Sequence, residues 1–296
     1  SRVGTGYGVA PAITFNPVGA TATATVDPGA TVPFSGNPTI AGFYQQRLVL
    51  GGPPGNPQQI NMSQPGSYSN FNISNPVQPD DAIEATLTSG ILNTIQSVIP
   101  MTGGLIILCD KQAFLMNGAD GSITPINAQA NSQAYNGASE VPPIVVNYDI
   151  LYVQSKGSIV RDLTFNFYTN IYTGTDISVL SSHLFFGYNI TSWAYAEEPF
   201  KLIWAVRNDG ALLSLTFVKE QELIGWAHHD TQGIFQSVAS VTESVAQGNV
   251  DAVYVIAQRT INGRQVRYVE RMADRFLPSN DQATAWCVDA ALQYNG

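Results

Sequence analysis

Residues 201–218 read KLIWAVRNDGALLSLTFV, and this stretch decides the fold class. Residues 201–206 are an almost unbroken apolar run, the pattern of a strand covered on both faces. Arg207-Asn208-Asp209-Gly210 follows, and Asn, Asp and Gly tolerate the positive φ of tight hairpin turns. Leu213, Leu215 and Phe217 then alternate with Ser214 and Thr216, which is strand period. The stretch reads as a β-hairpin.

The same construction returns at 105–116 (LIILCDKQAFLM), 150–163 (ILYVQSKGSIVRDL) and 253–270 (VYVIAQRTINGRQVRYVE), and in weaker form at 47–62 (RLVLGGPPGNPQQINM). Leu48, Leu105, Leu151, Ile203 and Val253 hold equivalent places, about 46 to 57 residues apart, near the period of propeller blades. A two-stranded hairpin cannot bury its own faces, but hairpins with flanking strands can stack, each sheet covering the next. The expectation is an all-β chain, a β-propeller-like array of about five to six blades. The array spans 39–276, after a Gly/Ala/Thr-rich β arm or insertion remnant at 1–38. Residues 277–296 either close it or lead into a further domain.

Outward from the hairpins, 190–196 reads as the inner strand of the fourth unit, 223–228 as its outer strand and 234–241 as the start of the fifth. Residues 94–99 lead into the second hairpin, and a short strand is expected at 68–73. Residues 80–94 read as a helical turn or a strand pair, with Asp80-Asp81 as a possible N-cap. Residues 118–143 are polar and loop-like. The segment DISVLSSHLFF at 176–186 has helical spacing, with Thr175 or Asp176 to cap it. The first forty residues hold strands at 12–15 and 20–26 or form a low-complexity arm. Gly4-x-Gly6-x-Gly8 lacks the strand, helix and spacing of a nucleotide loop.

Charged residues are 12 % of the chain, half the usual share, so the surface is polar but sparsely charged. Such a surface suits a protein inside an assembly or outside a cell better than a solitary cytosolic enzyme. Net charge is −9 and no wide basic stripe is present, which argues against a phosphate-gripping protein. Arg259, Arg264, Arg267, Arg271 and Arg275 cluster, with Glu270 and Asp274 among them. They read as a solvated or subunit-facing strand pair, the alternative being a phosphate-contacting face. Cys109 looks like a small core residue, and nothing argues for pairing it with Cys287. No apolar run approaches bilayer-spanning length. The Ser-Arg-Val-Gly start reads as neither a signal peptide nor an initiator, and is expected of a fragment or processed product.

Candidate chemistry is thin. His228-His229-Asp230 suggests a metal cluster, but neighbours on a strand point to opposite faces, and His183 is the only other histidine. Asp80-Asp81, Glu197-Glu198 and Glu220/Glu222 are paired in sequence, whereas glycosidic cleavage needs carboxyls on facing walls; they read as solvated loop charges. Ser279, Asp281, Ala283 and Trp286 outline an aspartate box with Ala in place of Gly, in one copy. The triplets starting at Asn61, Asn72 and Asn189 match N-glycosylation acceptors and matter only in a chain secreted by a eukaryote. No catalytic, cofactor or metal residue is assigned, and no cofactor is expected. A glycan-binding propeller is the alternative function, with Trp193, Trp204, Trp226 or Tyr residues as stacking platforms in inter-blade pockets, though core packing suits most of those rings better. A propeller glycosidase is the third.

Phe43-Tyr44-Gln45-Gln46-Arg47-Leu48, with Gly51-Gly52-Pro53 and Asn56-Pro57-Gln58, resembles a segment of phage tail proteins. So do Trp193-Ala194-Tyr195 with Glu198-Pro199, Val206-Arg207-x-Asp209-Gly210, Gly225-Trp226 with His228, and Tyr268-Val269-Glu270-Arg271. The family is the nozzle, or tail tubular protein B, of short-tailed phages. The resemblance implies a non-enzymatic virion protein, assembled in the bacterial cytoplasm into a sixfold homo-oligomeric ring at the tail tip. It further implies that ejected DNA passes along the ring's axis without sequence-specific binding, and that an adaptor and tail fibres dock outside. The acidic balance suits such a conduit, because negative walls repel phosphates.

Overall fold

The computed structural model describes residues 37–245, 248–273 and 288–292. The expected arm at 1–38 lies outside them but for its last two residues, as do the aspartate-box outline, Arg275 and Cys287. The chain divides into two compact units between Glu140 and Val141, inside the stretch read as one array.

The first unit holds two four-stranded antiparallel meanders. One is β1 (Ile40–Tyr44), β2 (Arg47–Gly51), β3 (Gln59–Met62) and β4 (Ile83–Thr86). The other is β5 (Ile95–Met101), β6 (Gly104–Cys109), β7 (Ala113–Asn117) and β8 (Gln129–Ala134). Both present residues to one core: Val49, Ile60, Met62 and Ile83 from the first, and Leu105, Ile107, Cys109, Phe114 and Met116 from the second. Gly42 lets β1 approach β5, since a Cβ there would lie 2.8 Å from Val98 Cγ2.

The second unit holds three meanders. They are β9 (Ile144–Val146), β10 (Asp149–Val153), β11 (Val160–Asn166) and β12 (Ile171–Asp176); then β13 (Ile190–Ala196), β14 (Leu202–Arg207), β15 (Leu212–Val218) and β16 (Leu223–His229); then the three-stranded β17 (Ile234–Val245), β18 (Gly248–Ile261) and β19 (Arg264–Arg271). The apolar run of β14 explains itself here. Ile203 and Ala205 join Leu151, Val153 and Val160 on one side, while Leu202, Trp204 and Val206 join Val238, Val253 and Val255 on the other. Each side buries one half of the strand's period-two pattern. The middle strands β6, β10 and β14 are buried along their whole length.

All five hairpins read in the sequence are present, and Leu48, Leu105, Leu151, Ile203 and Val253 all lie on the second strand of their sheets. Gly210 closes the β14–β15 turn at φ +88°, where a Cβ would lie 2.5 Å from the Ile234 Cβ. Four expectations need correction. Residues 68–73 carry no strand; their chain is held by bonds such as Asn72 N to Asn70 Oδ1 (3.1 Å). The 118–143 stretch contains β8, a polar strand paired to β7. The expected helix at 176–186 is a 3-10 helix, Val179–Leu184, broken by non-helical dihedrals at Ser181, and Asp176 still belongs to β12. Asp81 caps no helix and is not a solvated loop charge: it is fully buried and accepts from Ser74 N (2.9 Å), Ser74 Oγ (2.8 Å) and Gln78 N (2.7 Å), fastening the loop before β4.

Candidate functional site

A cleft of the first unit lies at the tip of the β1–β2 hairpin. Gln45 and Gln46 occupy the two turn positions at φ +46° and +60°. Left-handed backbone at a residue with a Cβ costs about 1–2 kcal/mol, which is why Asn-Gly is usual in such turns. Side-chain bonds offset the cost at Gln45. Its Nε2 donates to Gly121 O (2.7 Å) and its Oε1 accepts from Ile123 N (2.8 Å), so the hairpin tip grips the β7–β8 loop. Backbone carries the second grip, since Gly66 N donates to Gln46 O (2.8 Å).

Arg47 begins β2 and is 2 % exposed. Its Nη1 donates to Ser63 O (2.7 Å) and Asp81 O (2.6 Å), and its Nη2 to Pro79 O (3.1 Å). Burial lowers its pKa, opposed by the charges of Asp80 and Asp81. The guanidinium thus nails both ends of the long β3–β4 loop to β2. Between this loop, the β1–β2 turn and the β7–β8 loop opens a cleft of about 300 Å³, lined by Gln45, Arg47, Pro65, Pro79, Asp80, Ser122, Ile123 and Thr124. That volume is at the small end of ligand sites.

Apart from Asp80, which lines the cleft, the residues singled out for chemistry in the sequence lie elsewhere and do not converge. Register puts His228 opposite Leu213 and His229 opposite Leu212, so the two rings leave β16 on opposite faces. His229 shares a 2.8 Å hydrogen bond with Ser214 Oγ and packs its ring against Trp204, while His228 Nδ1 sits 3.2 Å from Asp230. The described residues hold no cluster of three or more metal-ligating side chains. Glu197 and Glu198 are exposed, and it is their backbone N–H groups that are engaged, by the Asp251 carboxylate. The indoles serve packing: Trp193 Nε1 donates to Pro142 O (2.6 Å), Trp226 Nε1 donates to Ile177 O (3.0 Å), and Trp204 is 2 % exposed. Asn61 is buried within β3 and so is no accessible glycosylation acceptor in the folded chain.

The arginine cluster is only partly solvated. Arg259 is buried, pairs in bidentate fashion with Glu270 (2.6 and 2.8 Å) and reaches Asp289 (3.0 Å). Arg271 pairs with Glu243 at 3.0 Å, while Arg264 and Arg267 are exposed on β19. Sequence reasoning missed one other constellation. Lys219, just after β15, places Nζ 2.6 Å from Thr164 Oγ1, 2.8 Å from Asp149 and 3.3 Å from Asp162, joining two neighbouring sheets of the second unit. Asp149 and Asp162 are nearly buried while Lys219 is 41 % exposed, so the contact is an ion-paired fastener at the sheet margin. Cys109 is a buried thiol whose pKa burial pushes up to about 12, which keeps it protonated and inert.

Compared with known proteins, the chain matches no family model and no curated protein. The described residues include no helix long and apolar enough to cross a membrane.

Proposed function

We propose that the chain is a structural part of a virion, the tail nozzle of a short-tailed phage, in which consecutive meanders form the blades of a β-propeller. In this reading the chain performs no reaction. Copies associate into a ring, DNA leaves along the axis, and adaptor and fibre proteins dock on the outside. The ring assembles in the cytoplasm of the bacterial host and is carried in the virion.

The observation that supports the reading best is the stacking within each unit. Sheets lie face on face, and middle strands such as β14 divide their side chains between two cores. That is how a blade is built. The residues that carry the resemblance fit the same plan. Phe43–Leu48 covers the β1–β2 turn, Arg207–Gly210 the β14–β15 turn, Trp193–Tyr195 lies on β13 and Tyr268–Arg271 on β19. These are the hairpin positions that shape a blade, and their charged members are tied into fasteners: Arg47 to three carbonyls, Arg207 to Asp209, Arg271 to Glu243.

Light scattering on the purified full-length protein tests the reading. The expected mass is about six chains, since a closed cyclic ring is the assembly such a part requires. A mass of one chain at every concentration, or a sugar hydrolase activity, overturns it.

A further inference from the structure

We infer that copies of this chain join head to tail, the tip of the β11–β12 hairpin of one copy packing against the 3-10 helix Val179–Leu184 of the next. The inference deepens the ring reading and rests on it: it names the two surfaces through which neighbouring copies meet.

Both surfaces are apolar, exposed and held in place. At the hairpin tip Phe167 is 83 % and Tyr168 97 % exposed, with Phe165 and Ile171 partly exposed at its base. The turn is fixed: Asn166 Oδ1 accepts from Tyr168 N (3.0 Å) and Thr169 N (3.4 Å), and Phe165 packs on Tyr172 with 5.3 Å between ring centroids. Along the 3-10 helix and just past it, Leu180 is 91 % and Phe186 88 % exposed, beside the exposed Val179. This segment is anchored by Phe185, which is buried edge-on to Trp226 at 4.8 Å and leaves its neighbour Phe186 outside. Large apolar side chains clustered in water mark surfaces that another body covers.

The placement of the two surfaces selects the partner. They lie at opposite ends of β12, a strand of six residues and so about 20 Å long. Ile177 N donates to Val160 O and Ile190 N to Gly157 O, which keeps the helix at the β10–β11 turn, far from the hairpin tip. Neither surface can cover the other within one chain. A two-fold contact sets one surface against its own copy and leaves the other bare. A head-to-tail contact covers both, and its repetition closes into a ring or runs on as a filament. Charge points the same way. Asp176 is the only Asp, Glu, Lys or Arg between residues 163 and 196, and its carboxylate is engaged by Ser178 N (2.8 Å) and Ser178 Oγ (2.7 Å). Two copies that each carry a net charge of −9 repel each other, and least where the touching stretch is uncharged.

Light scattering on the full-length protein tests the contact with two double variants, Phe167→Ser with Tyr168→Ser, and Leu180→Ser with Phe186→Ser. All four side chains lie outside the core, so the fold is expected to survive both changes. Each variant alone lacks one half of the contact and should have the mass of a single chain. In an equal mixture the intact helix of the first variant meets the intact tip of the second. The mass should then double, to about two chains, and rise no further, because a head-to-tail pair built this way has no free half left. Pairing in the mixture also shows that both variants are folded. Assembly that survives in either variant, a variant that pairs with itself, or a mixture that stays at single chains overturns this inference and leaves the ring reading standing. Wild-type chains that stay single at every concentration overturn both.

Discussion

Arg207 and Asp209 show how a turn residue becomes a fastener. Arg207 is buried at the end of β14, where it pairs with Asp209 through two nitrogens, donates to Leu184 O (2.6 Å) and stacks 3.8 Å over the Tyr188 ring. The hydrogen bonds from Arg207 hold the Asp209 carboxyl below the usual carboxylate range, outweighing burial, with help from Ala211 N. A carboxyl depressed in the folded state adds stability above its unfolded pKa of about 4, and that stability is lost as pH falls through this value towards the folded one. Thermal midpoints measured against pH should therefore fall below about pH 4, and Asp209→Asn should make the fall shallower. An equally steep fall in the variant would remove Arg207–Asp209 from the account. At the β1–β2 turn the logic reverses. Gln46 is left-handed at φ +60° and offers its backbone carbonyl, not its side chain, to Gly66. Gln46→Gly should raise stability by about 0.5–1 kcal/mol in urea titrations, since relief of the Cβ clash exceeds the added chain entropy.

At the scale of the element, what was legible depended on where a strand sits in its sheet. The second strand of each meander carries a long apolar or alternating run because neighbours on both sides cover it, and all five hairpins could be read from such runs. Outer strands escape this rule. β8 reads QANSQA and is half exposed, and β9 is three residues long, so neither has a period to detect. The 176–186 segment misleads in the opposite direction: Leu180 falls at helical spacing yet is 91 % exposed, so no core rewards a full helix. The cleft was illegible because it draws on three separate connections, and Arg47 reads as a surface charge until its carbonyl partners are placed. Lys219 belongs to the same class, since its partners lie 55 to 70 residues away. Lys219→Met should cost about 2 kcal/mol. Breaking a buried pair costs roughly 3–5 kcal/mol, reduced here by the exposure of the ammonium. Thr164→Val, which keeps both ion pairs, should cost less. Denaturant unfolding checks the order of the two variants.

For the whole molecule, the balance of charge and packing gives the chain its character. A sparsely charged chain, with five antiparallel sheets among its described residues, spends its apolar residues between sheets and places ion pairs between sheets and between paired strands. In the proposed tail role such a body would serve as a rigid wall, and the net charge of −9 would repel the phosphates of passing DNA. The most direct measurement is a cryo-electron microscopy map of the full-length assembled protein. The account predicts five sheets set around one axis in each subunit, β1, β5, β9, β13 and β17 nearest that axis, and six subunits around a channel wide enough for duplex DNA. A map of solitary chains, or of sheets joined edge to edge in one continuous sandwich, would contradict it.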